Sequence, residues 1–173
     1  TGHSEVALAG GYENSSRAPY ALTDARWGMK RGAGTIVDTI DYGYRDPFDL
    51  ALMGETAENL TDDFGYERTD MDLYALESQQ RAGKAIESGF LAEQIAPIDV
   101  PAGRGEMRRF EVDEFPRPGT SLEKLGSLRP VFRDGGRVTA GNSSGMTDGA
   151  AFVVVAERAR AEELGLTPRA RIV

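Results

Sequence analysis

An α/β core interrupted by a long, mostly helical insertion is the fold class this sequence predicts, and three observations carry it. A short apolar run, "EVALAGG", occupies residues 5–11. A second apolar run rich in β-branched residues, "AAFVVVAE", occupies 150–157 and has the length of a buried strand. Between them, from Phe48 onward, the apolar residues switch to helical spacing. Two strand-like pieces separated by well over a hundred residues of different periodicity read as one core and its excursion.

In chain order, residues 5–11 predict a buried strand that runs into a Gly-Gly turn. Residues 12–47 are rich in Gly, Arg, Tyr and Asp without sustained periodicity, which predicts loops carrying short elements. A helix is expected over "FDLALMGETAENLTDDFG" from Phe48, with Gly65 as its stop. A stronger helix is expected over 69–90: Thr69 caps it, Asp70 and Asp72 suit its positive end, and Leu73, Leu76, Ala82, Ala85 and Ile86 share a face. Gly83 weakens its interior by about 1 kcal/mol relative to Ala.

"QIAPIDVPAG" and "MRRFEVDEF" predict extended strands, the first restricted by Pro97 and Pro101 to an edge or an irregular ribbon. Thr120 or Ser121 caps a short helix over "LEKLGSL". "RPVFRDGGRVTAGN" predicts a Gly-Gly turn followed by a strand, "ERARAEELG" a short helix closed by Gly165, and "PRARIV" the start of another strand.

Composition narrows the function. The 173 residues carry a formal net charge of −8 and no dense basic stripe, which disfavours a nucleic-acid partner. No run approaches the ~18 consecutive apolar residues that span a bilayer, and no basic-then-apolar leader opens the chain, so neither membrane insertion nor secretion is expected. The absence of cysteine excludes disulfides, thiolate metal sites and a thiol nucleophile from this chain. His3 is the single histidine, so a multi-histidine metal site is impossible and any Ser-His-Asp triad has to use His3. Charge is uneven: Asp38 to Glu77 holds twelve acids against two arginines, whereas Gly103 to Arg137 holds eight basic residues against six acids. The second region is the better candidate to face an anion, and an ordinary solvated surface is the bland alternative. A first residue other than Met and a strand-like last stretch suggest a fragment or a processed piece.

The stretch "RVTAGNSSGMTDGAAFVVVAE" contains Gly141-Asn142-Ser143-Ser144-Gly145, which fits the G-x-S-x-G pattern of a hydrolase nucleophile elbow with Ser143 as attacker. An elbow needs a helix directly after the serine, to support the oxyanion, and an acid and a histidine further along the chain. Here a turn and a strand-like run follow, and no histidine follows. The elbow is therefore set aside. Glycines serving a tight turn under the strand, or the small-residue wall of a channel for a thin ligand, remain.

The same stretch resembles the thiolase family, whose corresponding segment reads T-A-G-N-x-S-G-x-x-D-G-A before a buried strand. Four further blocks agree in order: "LAGGYENSSRAPY", "RWGMKRGAGTIVDTIDYGYRDPF", "MGETAEN" and "SLEKLGSLRPVF". The second of these resembles the region that includes the family's tetramer-forming loop. The resemblance covers essentially the whole chain. It implies an α/β fold comprising part of a thiolase core (βαβαβαββ), with residues 1–14 and 147–173 in the N-terminal core and residues 15–146 forming the inserted loop domain.

That resemblance implies an acyl-CoA:acetyl-CoA C-acyltransferase acting through a cysteine acyl-enzyme, of which this chain is less than half. The nucleophilic cysteine would precede Thr1, and the catalytic histidine and second cysteine would follow Val173, leaving the segment catalytically silent. Its implied task is to bind CoA and acyl-CoA: Ser144 pairs with a pantetheine amide, Ala140 and Gly141 permit close approach, and Phe132 is an aromatic tunnel residue. Arg117 stands near the CoA nucleotide and Met53 beside the acyl group. A solvated loop arginine and a core methionine are the plain alternatives for these last two. CoA thioesters are substrates, no metal or organic cofactor is implied, and the expected partners are further copies of the subunit in a cytoplasmic homodimer or homotetramer.

The sequence departs from the family pattern at Leu52, where short-chain biosynthetic members often carry a histidine, and at Tyr44, where some carry an aliphatic CoA contact. Both changes admit a longer or different acyl chain. Ser15 stands where a methionine is common. Two other classes stay open at this point: a standalone CoA-binding protein, and a non-thiolytic, sterol-carrier-like homologue.

Overall fold

The computed structural model describes residues 3–173. It comprises two compact units: one joins the residues up to Pro19 with Met146–Val173, and the other is Tyr20–Gly145. The fold is α/β, and every sheet in it is a two-stranded antiparallel ribbon.

In the first unit, β1 (Val6–Glu13) pairs with β6 (Gly149–Ala156) in a register that runs from Val6 opposite Ala156 to Glu13 opposite Gly149. The predicted Gly-Gly turn lies instead inside β1. Gly10 sits opposite Phe152, and a Cβ at Gly10 would fall inside that ring, so the glycine makes room for a cross-strand aromatic. Neither strand is buried, contrary to the expectation from their apolar composition. Val153 and Val154 are consecutive and therefore point to opposite faces, yet each is 62% exposed. Both faces of the ribbon are open. The far end is clasped by Asp148, whose Oδ1 accepts the Ser16 N–H at 2.9 Å and whose Oδ2 accepts the Ser16 hydroxyl. A short helix, α5 (Arg158–Glu163), ends at Gly165 with φ +68° and buries Ala161. No strand forms over 168–173.

The second unit opens with the loop-borne elements expected for residues 12–47: β2 (Tyr20–Leu22) paired with β3 (Ile36–Asp38), and α1 (Thr39–Gly43), whose N-cap Asp38 accepts the Ile40 N–H at 2.9 Å. Helix α2 (Met53–Phe64) starts five residues later than its apolar spacing suggests. The delay has a local cause: Asp46 and Asp49 take the N–H groups of Phe48 (2.7 Å) and Ala51 (2.9 Å), which favours turns over helix. Glu55 then accepts the Leu52 N–H at 2.7 Å, and Gly65 closes the helix at φ +68° as expected.

Helix α3 (Arg68–Glu87) is capped at Glu67, where Asp70 accepts the Glu67 N–H at 3.0 Å, and not by Thr69. Its most buried residue is Asp72; of the apolar stripe predicted for it, Leu76, Ala82, Ala85 and Ile86 are half-buried as expected and Leu73 is exposed. Next come the hairpin of β4 (Ile98–Gly103) and β5 (Glu106–Phe110), and α4 (Leu122–Gly126), whose N-cap Ser121 accepts the Lys124 N–H at 3.3 Å. The strand expected after Gly135-Gly136 is reduced to a single bridge between Pro130 and Thr139. The N–H groups of Arg137 and Val138 are taken by a carboxylate from α2, leaving no ladder to extend.

Among the described residues the buried apolar side chains are Leu125, Val138 and Ala161, against Glu58, Thr61, Asp72 and Thr139 among polar ones. Each buried polar group finds a partner. No helix among the described residues is long and apolar enough to cross a membrane.

Candidate functional site

Within the Tyr20–Gly145 unit, a groove of about 520 Å³ is lined by two stretches of chain. Residues 115–128 contribute Phe115, Arg117, Thr120, Lys124, Leu125 and Leu128; residues 140–143 contribute Ala140, Gly141 and Ser143; Gln79 comes from α3. The basic segment identified in the sequence therefore supplies two cations to the lining, Arg117 and Lys124, and no acid lines the groove. Neither cation forms an ion pair among the described residues. An anion entering here meets two uncompensated positive charges.

Each lining stretch is held by local chemistry. Gln79 accepts the Arg117 N–H at 2.8 Å, and the Arg117 carbonyl in turn accepts from the N–H (3.1 Å) and hydroxyl (2.7 Å) of Thr120. The Lys124 ammonium donates to the Gly119 carbonyl at 2.6 Å, closing the loop that carries Arg117. Arg68 from α3 donates to the carbonyls of Leu125 (2.5 Å) and Leu128 (3.1 Å), satisfying the C-terminal end of α4.

Opposite these, Gly141 allows a close approach. A Cβ there would meet Leu128 Cδ1 at 2.5 Å and Leu125 Cδ2 at 2.6 Å, so any larger residue displaces the two leucines that line the groove. Gly145 does the same for the Phe115 ring, which occupies the space its Cβ would fill. The segment between them is drawn tight by side chains. Asn142 Oδ1 accepts the Thr139 N–H at 2.7 Å, and Thr139 Oγ1 accepts the Gly141 N–H at 3.2 Å. The Asn142 amide donates to Asp72 Oδ1 and to the Arg137 carbonyl, both at 3.0 Å. Residues 144–148 lead from this turn into β6 without a helix, so the support a nucleophile elbow needs is missing after Ser143.

Of the residues singled out in the sequence, Arg117, Ala140 and Gly141 line the groove together. Ser144 is exposed and does not line it; its half-buried neighbour Ser143 does. Met53 and Phe132 do not line it: Met53 opens α2, and the Phe132 ring rests on the next residue, Gly54, so closely that no Cβ fits. Lys124, Thr120 and Phe115 belong to the groove without having been singled out. Lys124 and Phe115 lie in the stretch whose basic excess was visible, and that excess was the signal available for them.

An ion pair lies beside the Thr139–Asn142 turn. The Arg137 guanidinium donates to Asp62 Oδ1 at 2.7 Å and, together with the charge of Arg133, holds the Asp62 carboxyl below the usual aspartate range. In the other unit, the hydroxyl and N–H of Ser16 lower the Asp148 carboxyl in the same direction.

Comparison with known proteins places these features in a family. Residues 1–159 match the thiolase N-terminal domain. An acetyl-CoA acetyltransferase of Thiocystis violacea is 46% identical over 173 residues, covering 99% of this chain and 44% of the relative. A β-ketoadipyl-CoA thiolase of Pseudomonas aeruginosa is 44% identical over 177 residues, again covering 44% of the relative. Among solved structures, the Bacillus anthracis acetyl-CoA acetyltransferase superposes with a TM-score of 0.89 at 45% identity, over 96% of this chain and 42% of that one. The human mitochondrial 3-ketoacyl-CoA thiolase in complex with CoA does so at 0.84 and 40% identity, over 95% and 40%. The chain thus spans less than half the length of the relatives it matches. With the matched domain, the shared fold and the ordered sequence blocks in agreement, this chain belongs to the thiolase family.

Proposed function

We propose that the chain is the CoA-binding part of an acyl-CoA:acetyl-CoA C-acyltransferase that makes or cleaves 3-oxoacyl-CoA through a cysteine acyl-enzyme. The observation that supports it best is the groove itself: two cations with no ion pair among the described residues, Arg117 and Lys124, and a wall of small residues, Ala140, Gly141 and Ser143, border the same space. CoA has this polarity, with phosphates and an adenine at one end and a narrow amide-bearing arm at the other. A planar guanidinium stacks on adenine or pairs with phosphate, and an ammonium serves phosphate as a point charge. A thin arm needs small neighbours and a few hydroxyls, because each amide left unpaired in a closed channel costs about 1–3 kcal/mol. The Ser143 and Ser144 hydroxyls are the candidates to meet those amides.

The chemistry then lies elsewhere in the subunit. In the whole enzyme a thiolate takes the acyl group from one thioester, and a second thioester's carbanion, or free CoA, resolves the acyl-enzyme. This chain has no cysteine to do so. Its loop domain would hold the substrate and contribute to self-association into a dimer or tetramer, with CoA thioesters as the only small molecules required. The human relative solved with CoA supports the ligand class, and the relatives named acetyl-CoA acetyltransferase support the reaction class.

Steady-state kinetics of the complete subunit test this reading. Arg117→Ala and Ser143→Val, both at residues that line the groove, are each expected to raise the KM for CoA substrates, by about tenfold for loss of one good contact. Unchanged KM in both variants would remove the site from this groove.

A further inference from the structure

The wall formed by residues 139–143 has no regular secondary structure of its own, and what holds it is a pair of buried carboxylates from two helices. Glu58 of α2 is 1% exposed. Its Oε1 accepts the N–H of Val138 at 2.7 Å and of Arg137 at 2.8 Å, and its Oε2 lies 3.0 Å from the Arg137 nitrogen. These donors lie 79 and 80 residues away in sequence. Gly136 is part of the same arrangement, because a Cβ there would overlap the Glu58 carboxylate. Asp72 of α3, 3% exposed, holds the other end through the Asn142 amide and is itself paired with Arg68 at 2.8 Å. Neither carboxylate lines the groove.

A carboxylate buried in this way is costly to remove from water unless strong donors replace the solvent. Two backbone N–H groups at 2.7–2.8 Å do so, and in return they lose every alternative conformation that would point them elsewhere. The consequence is directional. Fixing the N–H groups of 137 and 138 fixes where Thr139 and Ala140 emerge, and the Thr139 and Asn142 bonds carry that constraint to Gly141 and Ser143. A wall held in this way lowers the ordering cost that falls on binding.

We propose that Glu58 is a positioning residue for ligand binding: it acts on the groove through the backbone of Arg137 and Val138 without touching the ligand. The proposal rests on reading the groove as the CoA site, and its test separates the two. In the complete subunit, CoA is titrated calorimetrically and acetyl-CoA kinetics are measured for Glu58→Gln, Arg117→Ala and Asp62→Asn. Glutamine keeps the shape but turns one acceptor into a donor facing an N–H. It is expected to weaken CoA binding about tenfold, with KM rising by the larger factor and kcat falling by less. Asp62→Asn removes exposed ion pairs from the same helix and is the control: it lowers the melting temperature without changing CoA affinity.

If Arg117→Ala weakens CoA binding while Glu58→Gln lowers only the melting temperature, Glu58 is merely structural: the proposal is overturned and the groove reading stands. If neither variant weakens binding, both fail together. Should Glu58→Gln not fold, Glu58→Asp, which keeps the charge but withdraws the acceptor by one methylene, is titrated in its place under the same criteria.

Discussion

The ribbon of β1 and β6 and the framework around Glu58 are held together by opposite means. The ribbon is rich in Val, Ala and Phe and has a complete ladder of paired strands, yet residues on both of its faces are exposed. The framework buries few apolar atoms, and what it does bury includes Glu58, Thr61, Asp72 and Thr139. A two-stranded ribbon with both faces in water is marginal by itself, because its hydrophobic contribution requires a surface to pack against. A set of buried carboxylates with their donors in place needs no further layer, but it depends on each partner being present. The comparison separates a region whose stability is borrowed from one whose stability is internal.

The sharpest way to break this contrast is at Glu58. Glu58→Leu removes the acceptor and leaves two buried N–H groups without partners. Destabilisation of about 3 kcal/mol is expected in urea unfolding of the complete subunit, and a loss below about 1 kcal/mol would mean the framework is not held as described. Next is Gly54→Ala, where a methyl meets the Phe132 ring at the start of α2. Overpacking of this kind costs about 2 kcal/mol and is read in the same experiment. Gly65→Ala, at φ +68° with open space around it, isolates backbone strain from packing and is expected to cost about 1 kcal/mol.

Amide hydrogen exchange sharpens the other side. In this chain on its own, the amides of β1 and β6 are expected to exchange faster than those of Arg137 and Val138, and in the complete subunit the ribbon should gain the greater protection. Equal protection of both regions in the isolated chain would erase the distinction.

The smallest effect is electrostatic. The Asp62 carboxyl lies below its ordinary value because of Arg137 and Arg133, so its contribution is present above the unfolded-state value and is lost as pH falls through the lowered one. Asp148, lowered by Ser16, follows the same sign. Asp62→Asn is therefore expected to flatten the acid limb of the stability profile slightly, with no change near neutrality in how stability varies with pH. A variant that altered the slope above pH 6 would contradict this assignment.

Much of the element order was legible from local pattern. The helical spacing after Phe48, the Ser121 cap, the glycines at 65 and 165 and the two strands on either side of Arg104-Gly105 all express preferences that reside within a few residues. The departures from local pattern share a cause. The late start of α2 follows from Asp46 and Asp49 competing for backbone N–H groups, and the strand expected after Gly136 fails because Glu58 takes the bonds its ladder would need. Ala140 and Gly141 were readable as candidate ligand contacts from an ordered motif block, and Arg117 from its match to a family arginine. That Ser143 faces the groove and Ser144 faces solvent depends on how one turn is oriented, which spacing does not encode.

What the sequence by itself determined is the family, the order of strands and helices, and the absence of any nucleophilic thiol, because these depend on residue identity and short-range periodicity. Only the tertiary structure decided that the most polar helix positions, Glu58 and Asp72, are among the most buried, and that the most apolar strand, β6, is among the more exposed. The physical reason is that burial is a property of partners. Glu58 is stable inside only where the N–H groups of residues 137 and 138 meet it, Asp72 only where Arg68 and Asn142 do, and a valine is buried only where another surface meets it.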